Sequence, residues 1–335
     1  MIKTRQSVLV TGAAGLLGSH MADVLLHRGY KVTGIDNLSI GCFENLSQAN
    51  TSDHFTFYQM DVKDNESLMQ LPRHDAIIHM AAYKIEIPGL KGIDILETNS
   101  FGTASMLRMA NLWKSRFLFA STSDVYGRSE QIPFQESGDL VLGSSDIPRW
   151  GYAASKIFDE HLCFAHQREY HQPITVIRYF NTYGPRHELS PRSGGPQALF
   201  FDALLRGKEM VVHGDGTQQR CFAYVSDAIE MTVRALECDE AIGEIINIGN
   251  PYEEISIKDL AQMAFEVFGG KGSAPIRFVD HHEIYQTKKF QEVSRRIPDI
   301  SKALKLLGFK PKISQREGLY RTLEWQKSLD CYNVN

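Results

Sequence analysis

The sequence predicts an α/β fold: a doubly wound parallel sheet with a smaller C-terminal α/β lobe. Three observations predict it. Short β-branched runs alternate with helix-length stretches through the first half of the chain, the pattern of successive β-α-β units. A glycine-rich turn joins the first strand-like run to the first helix. Glycine and proline then cluster over residues 184–196, and the chain changes character there. Residues 1–180 are therefore expected to form one domain and 181–335 a second. Part of 222–250 is expected to return to the first domain, because no clean linker separates the two.

Ser7 to Thr11 is a β-branched run that ends in glycine, a buried strand. Gly12-Ala13-Ala14-Gly15-Leu16-Leu17-Gly18 follows, then a helical pattern from Ser19 to Arg28 and a strand from Tyr30 to Ile35, ending at Asp36. This is the dinucleotide-binding unit of the Rossmann type. Gly12 permits the tight turn, Gly15 lets the backbone approach a pyrophosphate, and Gly18 lets helix and strand pack closely. The helix start offers free N–H groups to phosphate. Asp36 is placed to accept hydrogen bonds from an adenosine ribose, and a carboxylate there selects NAD over NADP by repelling a 2′-phosphate. A glycine turn with no ligand would explain the glycines but not Asp36.

The alternation continues with a strand from Phe55 to Met60, ending in Asp61-Val62, where the acid can reach an adenine amino group. Ala76 to Met80 is a buried strand, and the small Ala81 and Ala82 after it leave room for a cofactor. Asn99 to Trp113 reads as a helix and Phe117 to Ala120 as the next strand. Ser121-Thr122-Ser123-Asp124-Val125-Tyr126-Gly127 then falls at a strand's carboxyl end, where ligands of such sheets bind. Its hydroxyls and carboxylate suit proton transfer, and equally a capping turn.

A polar loop over 128–150 leads into a helix from Tyr152 to Tyr170. Tyr152 and Lys156, four residues apart, share one helical face. A nearby ammonium favours the phenolate, a base able to take a proton from a sugar hydroxyl. Taken alone, the pair is also found on ordinary amphipathic helices. Pro173 to Tyr179 is a sixth strand. Beyond it, helices are expected over Pro196 to Arg206, Ser226 to Cys238 (capped by Ser226) and Ser256 to Phe268, with strands at Met210 to His213 and Glu244 to Ile248.

A net charge of -4 gives no reason to expect nucleic acid or an acidic membrane as partner. No apolar run of about 18 residues suggests a membrane span, and the first residues lack a signal peptide's apolar core. Five scattered cysteines without a Cys-x-x-Cys pair read as reduced thiols of a cytoplasmic protein. His281-His282 lacks companion ligands at metal spacing, so no metal is expected.

With these motifs in order, the chain resembles the extended short-chain dehydrogenase/reductase family, in its nucleotide-sugar epimerase, dehydratase and decarboxylase branch. The resemblance covers nearly the whole chain. Besides the stretches above, it rests on Arg178 to Arg186, Gly214-Asp215-Gly216, Arg220, Asn247-Ile248-Gly249 and Pro298 to Ala303. It implies NAD held by Gly12, Gly15, Leu16, Leu17, Gly18, Asp36, Asn37, Asp61, Val62, Ala81, Ala82, Asn99, Tyr152, Lys156 and Tyr179. It implies that Tyr152 removes the C4 hydroxyl proton of a UDP-sugar, that Lys156 holds the nicotinamide ribose, and that Thr122 shares the hydroxyl. Asn181 and Arg220 become phosphate ligands, for which arginine is suited by bidentate hydrogen bonding. His213 becomes a uracil neighbour, and Arg186, Gln197 and Gln218 further substrate contacts. A homodimer through the Asn99 and Tyr152 helices is implied as well.

The 4-ketone then has three fates: epimerisation, 4,6-dehydration or decarboxylation. Dehydratases of the family carry Asp-Glu after the threonine, and here Ser123 and Asp124 stand there. UDP-glucuronic acid decarboxylases show Thr-Ser-Glu and an arginine facing the substrate carboxylate. Thr122-Ser123-Asp124 and Arg296 fill those places, with Asp124 one methylene shorter. UDP-glucuronic acid decarboxylation is therefore the favoured expectation. The alternatives are a UDP-sugar 4-epimerase, a 4,6-dehydratase, and an idle NAD-binding regulatory protein.

Overall fold

The computed structural model describes residues 6–84, 91–189, 195–281, 283, 291–329 and 331. The β-branched run becomes β1 (Ser7–Thr11), and Val8, Leu9 and Val10 are fully buried because helices cover both faces of a parallel sheet. The chain continues through α1 (Leu16–His27), β2 (Lys31–Asp36), β3 (Phe55–Gln59), α2 (Asn65–Leu68), β4 (Ala76–His79), α3 (Gly92–Trp113), β5 (Arg116–Thr122), α4 (Arg149–Tyr170) and β6 (Ile174–Tyr179). After β7 (Thr182–Tyr183) come α5 (Pro196–Leu205), β8 (Met210–His213), β9 (Gln219–Cys221), β10 (Ala223–Tyr224), α6 (Val225–Glu237) and β11 (Ile245–Ile248). The last described elements are β12 (Glu254–Ser256), α7 (Ile257–Phe268), β13 (Ile276–Val279), β14 (Arg295–Arg296), α8 (Ser301–Leu307) and α9 (Gln315–Lys327).

Seven strands form one sheet in the order β11-β6-β5-β4-β1-β2-β3, every pair parallel. The chain winds outward from β1 to β3, then returns to lay β4 on the other side of β1. The loops leaving β1 and β4 therefore part in opposite directions and open a crevice at their carboxyl ends. α6 packs on α1, and β11 adds to the large sheet after the chain has visited the smaller lobe. That lobe holds β8 with β13, and β9 between β12 and β14. Helices α5, α7 and α9 pack on one another behind these strands.

Several boundaries differ from the sequence reading. α1 starts at Leu16, not Ser19, and Gly15 serves as an N-cap with no side-chain hydrogen bond. α3 starts at Gly92, seven residues before Asn99; Asp94 accepts the Lys91 N–H at 2.7 Å and closes its first turn. α4 starts at Arg149, which places Tyr152 just inside the helix. Ser226 lies within the first turn of α6 and caps nothing, because Tyr224 holds the N-cap position. β9, β10, β12, β13 and β14 are two to four residues long, too short to show a period, and were not expected.

Candidate active site

The crevice beside β1 is built from residues whose side chains are missing by necessity. Gly12 has φ +68, and a Cβ there would stand 2.8 Å from the Ala81 nitrogen. At Gly18 a Cβ would stand 2.0 Å from the Gly12 carbonyl oxygen, so α1 can approach β1 only without one. Asp36 turns back over this turn: its Oδ2 accepts the Ala14 N–H at 3.0 Å and its Oδ1 the Leu38 N–H at 2.8 Å. Burial raises its pKa, which those two N–H donors oppose. Asn37 donates to Asp61 Oδ2 at 3.0 Å and to the Tyr83 hydroxyl at 3.2 Å. Gly12, Gly15, Asp36, Asn37, Val62, Ala81 and Ala82 line one cleft with about 560 Å³ of open space. Ser39, Gly41, Met60, Tyr83 and Thr98 line it too, and no pattern in the sequence marked them. A Cβ-free backbone cradle, an uncapped helix start and a carboxylate at the next strand's end fit an adenine dinucleotide.

At the end of β5, Thr122 Oγ1 accepts the Asp124 N–H at 3.2 Å and donates to Asp124 Oδ2 at 3.2 Å. The Thr122 side chain also lowers the Tyr152 phenol's pKa, against the burial that raises it. Ser123 is buried in the same turn. Lys156 is buried; its Nζ donates to the Ala120 carbonyl at 2.8 Å and stands 4.5 Å from the centre of the Phe119 ring. Burial, and then the charge of Asp124, hold the Tyr152 phenol above its usual range. Lys156 itself is pushed down by burial and back up by Asp159, a fully buried carboxyl pushed up to about 6. Behind the turn, Arg178 and Glu160 form a buried ion pair at 2.7 Å; Ser121 donates to the same carboxylate, and Arg178 lies over Tyr126.

A third group of side chains enters from the smaller lobe. β14 pairs with β9 in a register that sets Arg296 beside Arg220. Arg296 Nη1 reaches Asp124 Oδ1 at 2.8 Å and so joins the small lobe to the end of β5. Burial opposes the charged form of Asp124, yet Arg296, Lys84 and Arg149 together hold its carboxyl well below the usual carboxylate range. Arg220 Nη2 donates to Glu292 Oε1 at 2.8 Å; burial, and then Arg296, push its pKa down to about 10. His281 meets Glu292 at 3.2 Å, and both line a second hollow with Gly214, Asp215, Thr217 and Gln218.

Other expected site residues sit elsewhere or are already engaged. Arg186 is turned to Asp23 of α1 at 2.7 Å, away from Arg220 and Arg296. The Tyr179 hydroxyl is spent on Thr232 of α6 at 2.6 Å. Asn99 is fully buried and holds both backbone groups of Tyr83, at 2.9 and 3.0 Å, and Ser155 at 3.1 Å; it braces the cleft wall rather than facing the cleft. Leu16 and Leu17 pack on the core. Asn181 donates to the Cys221 carbonyl at 3.0 Å, and Gln218 to that of His213 at 3.2 Å. His213 stands edge-on to His281, with ring centres 6.4 Å apart. Gln197 is buried, with both amide atoms lacking a hydrogen-bond partner. Lys84, Arg149 and Glu292 complete the charged group, and no motif singled them out as site residues. His282 lies outside the described residues. Among the described residues, no group of three or more His, Cys, Asp or Glu could hold a metal, and no helix is long and apolar enough to cross a membrane.

A dinucleotide cradle at the switch point of a parallel sheet, joined to a Thr-Tyr-Lys centre and to the small-lobe arginines Arg220 and Arg296, defines an extended short-chain dehydrogenase/reductase. The chain belongs to the family described as GDP-mannose 4,6 dehydratase, whose sequence profile matches residues 9–322. That branch comprises NAD-dependent nucleotide-sugar decarboxylases, epimerases and dehydratases. The chain is 36% identical over 328 residues to a UDP-N-acetyl-alpha-D-glucosaminuronate decarboxylase of Bacillus cytotoxicus, covering 97% of this chain and 99% of the relative. It is 33% identical to UDP-glucuronic acid decarboxylase 1 of Xenopus tropicalis, covering 96% of this chain and 72% of the relative. Among solved structures, the UDP-glucuronic acid 4-epimerase of Bacillus cereus, in complex with UDP-glucuronic acid and NAD, superposes with TM-score 0.82 at 31% identity, over 96% of this chain and 99% of that one.

Proposed function

We propose that the protein is an NAD-dependent decarboxylase of a UDP-linked uronic acid, either UDP-glucuronic acid or its 2-acetamido analogue. The observation that carries this reading is the Asp124–Arg296 pair, placed against Thr122 and Tyr152. It sets a guanidinium within reach of the hydroxyls that would hold C4. The decarboxylases among the relatives support it, and so does the lack of the Asp-Glu pair that dehydratases use.

Gly12, Gly15, Gly18 and the start of α1 hold the pyrophosphate in this reading, and Asp36 the adenosine ribose. Bound NAD supplies a hydride acceptor for C4 and returns the hydride at the end. Tyr152 takes the C4 hydroxyl proton, and Thr122 keeps that oxygen in place. A ketone at C4 makes the C6 carboxylate a β-keto acid. The C5–C6 bond then breaks, CO₂ leaves, and the electron pair moves onto the C4 oxygen, where the Tyr152 and Thr122 hydroxyls donate to it. C5 takes up a proton, and Tyr152 returns its own as C4 is reduced. Burial raises the phenol, so Tyr152 is a strong base once ionised, and it gives its proton back only to the more basic C4 oxygen as that carbon is reduced. Arg220 and Asn181 are the diphosphate ligands of this proposal, and the hollow by His281 the place of the base.

The test is incubation of the purified protein with NAD and each of UDP-glucuronic acid, its 2-acetamido analogue and UDP-glucose, read by mass spectrometry and NMR. Loss of the mass of CO₂ from a uronic acid is the expected result. A product of unchanged mass with an inverted C4 would replace this reading with the 4-epimerase one, which the similarity to the Bacillus cereus epimerase favours. Loss of water would point to a dehydratase, and no change with any substrate to an idle NAD-binding protein. The exposed apolar residues Ile93, Leu96 and Phe101 on α3 and Phe158 on the adjoining α4 support a homodimer through those helices. Five free cysteines suit a reducing compartment such as the cytoplasm.

A further inference from the structure

Three side chains close a hydrogen-bonded ring across the dinucleotide cleft. Tyr83 follows β4 and is buried. Its hydroxyl meets the Ser39 hydroxyl at 2.7 Å and accepts an Asn37 amide N–H at 3.2 Å. Ser39 Oγ donates to Asn37 Oδ1 at 2.6 Å. That uses the one proton of the Ser39 hydroxyl, so the Tyr83 hydroxyl is the donor to Ser39. Each O–H of the ring then has one acceptor, and no proton is left over. The Asn37 amide also donates to Asp61 Oδ2, after β3, at 3.0 Å.

The sheet order shows what the ring crosses. β1 lies between β4 and β2. A bond from the loop after β4 to the loop after β2 therefore passes over the end of β1, where the glycine turn begins. Asn37, Ser39 and Tyr83 line the cleft together with Gly12, Gly15 and Asp36, so the ring lies at the end that Asp36 marks for adenosine. One side of it is rigid. Asn99 holds both backbone groups of Tyr83, at 2.9 and 3.0 Å, and reaches Ser155 of α4 at 3.1 Å. The other side is under strain. Leu38, between Asn37 and Ser39, has φ +59, a conformation costly for a residue with a side chain. Such a loop keeps its shape only where surrounding bonds hold it.

We propose that Tyr83 is a positioning residue for the dinucleotide: its hydroxyl fastens loop 37–39 across the adenosine end of the cleft and slows release of the cofactor. The chemistry gives slow release a use. A cycle that takes a hydride from C4 and returns it leaves the dinucleotide unchanged, so no turnover requires it to leave. No step at C4 runs through the Tyr83 hydroxyl, so the proposal holds whichever fate the C4 ketone meets.

The experiment compares wild type, Tyr83→Phe, Ser39→Ala and the double variant. Each is loaded with NADH, and release is followed by stopped-flow fluorescence as excess NAD displaces it. AMP affinity is measured by competition with NADH, and UDP affinity by calorimetry with NAD bound. Tyr83→Phe keeps the ring that packs and removes only the hydroxyl. It should release NADH about tenfold faster, as loss of its two neutral hydrogen bonds implies. AMP should weaken by a similar factor, and UDP should bind as in wild type. Ser39→Ala should add less to Tyr83→Phe than it does to wild type, because the two hydroxyls share one bond. Unchanged NADH release in Tyr83→Phe overturns the proposal. Equal weakening of AMP and UDP, with a lowered Tm, would make Tyr83 a packing residue of the cleft wall and overturn it too. So would strictly additive effects of the two substitutions, since the hydroxyls would then act apart.

Discussion

Tyr152 lies where burial and the Asp124 charge both oppose its ionisation, and Thr122 and then the Arg296 charge act against them. Tyr152→Phe should therefore abolish C4 oxidation, lowering NADH formation on substrate by about 10³-fold or more, with NAD binding kept. Stopped-flow absorbance of the nicotinamide checks this, and undiminished oxidation would rule Tyr152 out as the base. His79 makes a separate prediction. It is wedged between Thr11, at 2.7 Å from its Nδ1, and Thr103, at 3.2 Å from its Nε2. Burial and then the Lys156 charge push its pKa down to about 3 from 6.5. A base depressed in the folded state contributes stability that is complete above pH 6.5 and lost as pH falls towards 3. The loss over that whole span is on the order of 5 kcal/mol, since each unit is worth about 1.4 kcal/mol. Urea unfolding from pH 7 down to pH 4 should show wild type losing more stability than His79→Gln. Parallel curves would contradict the assignment.

At the scale of elements, the start of α1 is the most constrained local structure. Its N-cap is a glycine without a side-chain hydrogen bond, so the N–H groups of its first turn are left for a ligand. Gly18→Ala would drive a Cβ to 2.0 Å from the Gly12 carbonyl. The backbone has to shift, so the expected outcome is loss of most NAD affinity, by about tenfold or more, together with a lowered Tm. Fluorescence titration with NADH checks the first and a thermal scan the second. The opposite case is α7, whose N-cap Ser256 accepts the Asp259 N–H at 3.0 Å. Ser256→Ala should cost about 1 kcal/mol of stability in urea unfolding and leave turnover unchanged, because this cap serves only its helix. These caps also show how readable the elements were. The sequence reading begins this helix at Ser256 without assigning it a cap, and the structure makes that serine the cap. Ser226 has the same local look, yet the chain enters α6 one residue earlier, from β10, and the cap goes unused.

At the scale of the molecule, α3 and α4 pack together and present Ile93, Leu96, Phe101, Leu112 and Phe158 to solvent. These exposures range from 43% to 60%, and apolar exposure of this extent on two adjoining helices marks an interaction face. Phe101→Glu should convert a dimer into monomers in size-exclusion chromatography with light scattering, without unfolding the chain. A wild type that elutes as a monomer at all concentrations would reject the interface. α4 carries Tyr152 and Lys156, so dissociation should also lower activity.

The local sequence determined the repeating units. Periods of two and of 3.6 residues, a glycine-rich turn and the acid at the end of β2 are written over a few residues each. For that reason the sheet, the dinucleotide cradle and the Thr122–Tyr152–Lys156 centre could be read before any coordinates. Only the tertiary structure decided what each charge faces. Arg186 and Arg296 both read as substrate arginines, yet one is spent on Asp23 of α1 and the other on Asp124. Asn99 read as a cofactor ligand, and the fold also gives it the backbone of Tyr83 to hold. Glu292 carries no motif, and it matters because the pairing of β14 with β9 brings it to Arg220. Hydrophobic period is a property of neighbours along the chain. Charge compensation is a property of neighbours in space, from residues as far apart as Asp124 and Arg296, and it exists only once the chain has folded.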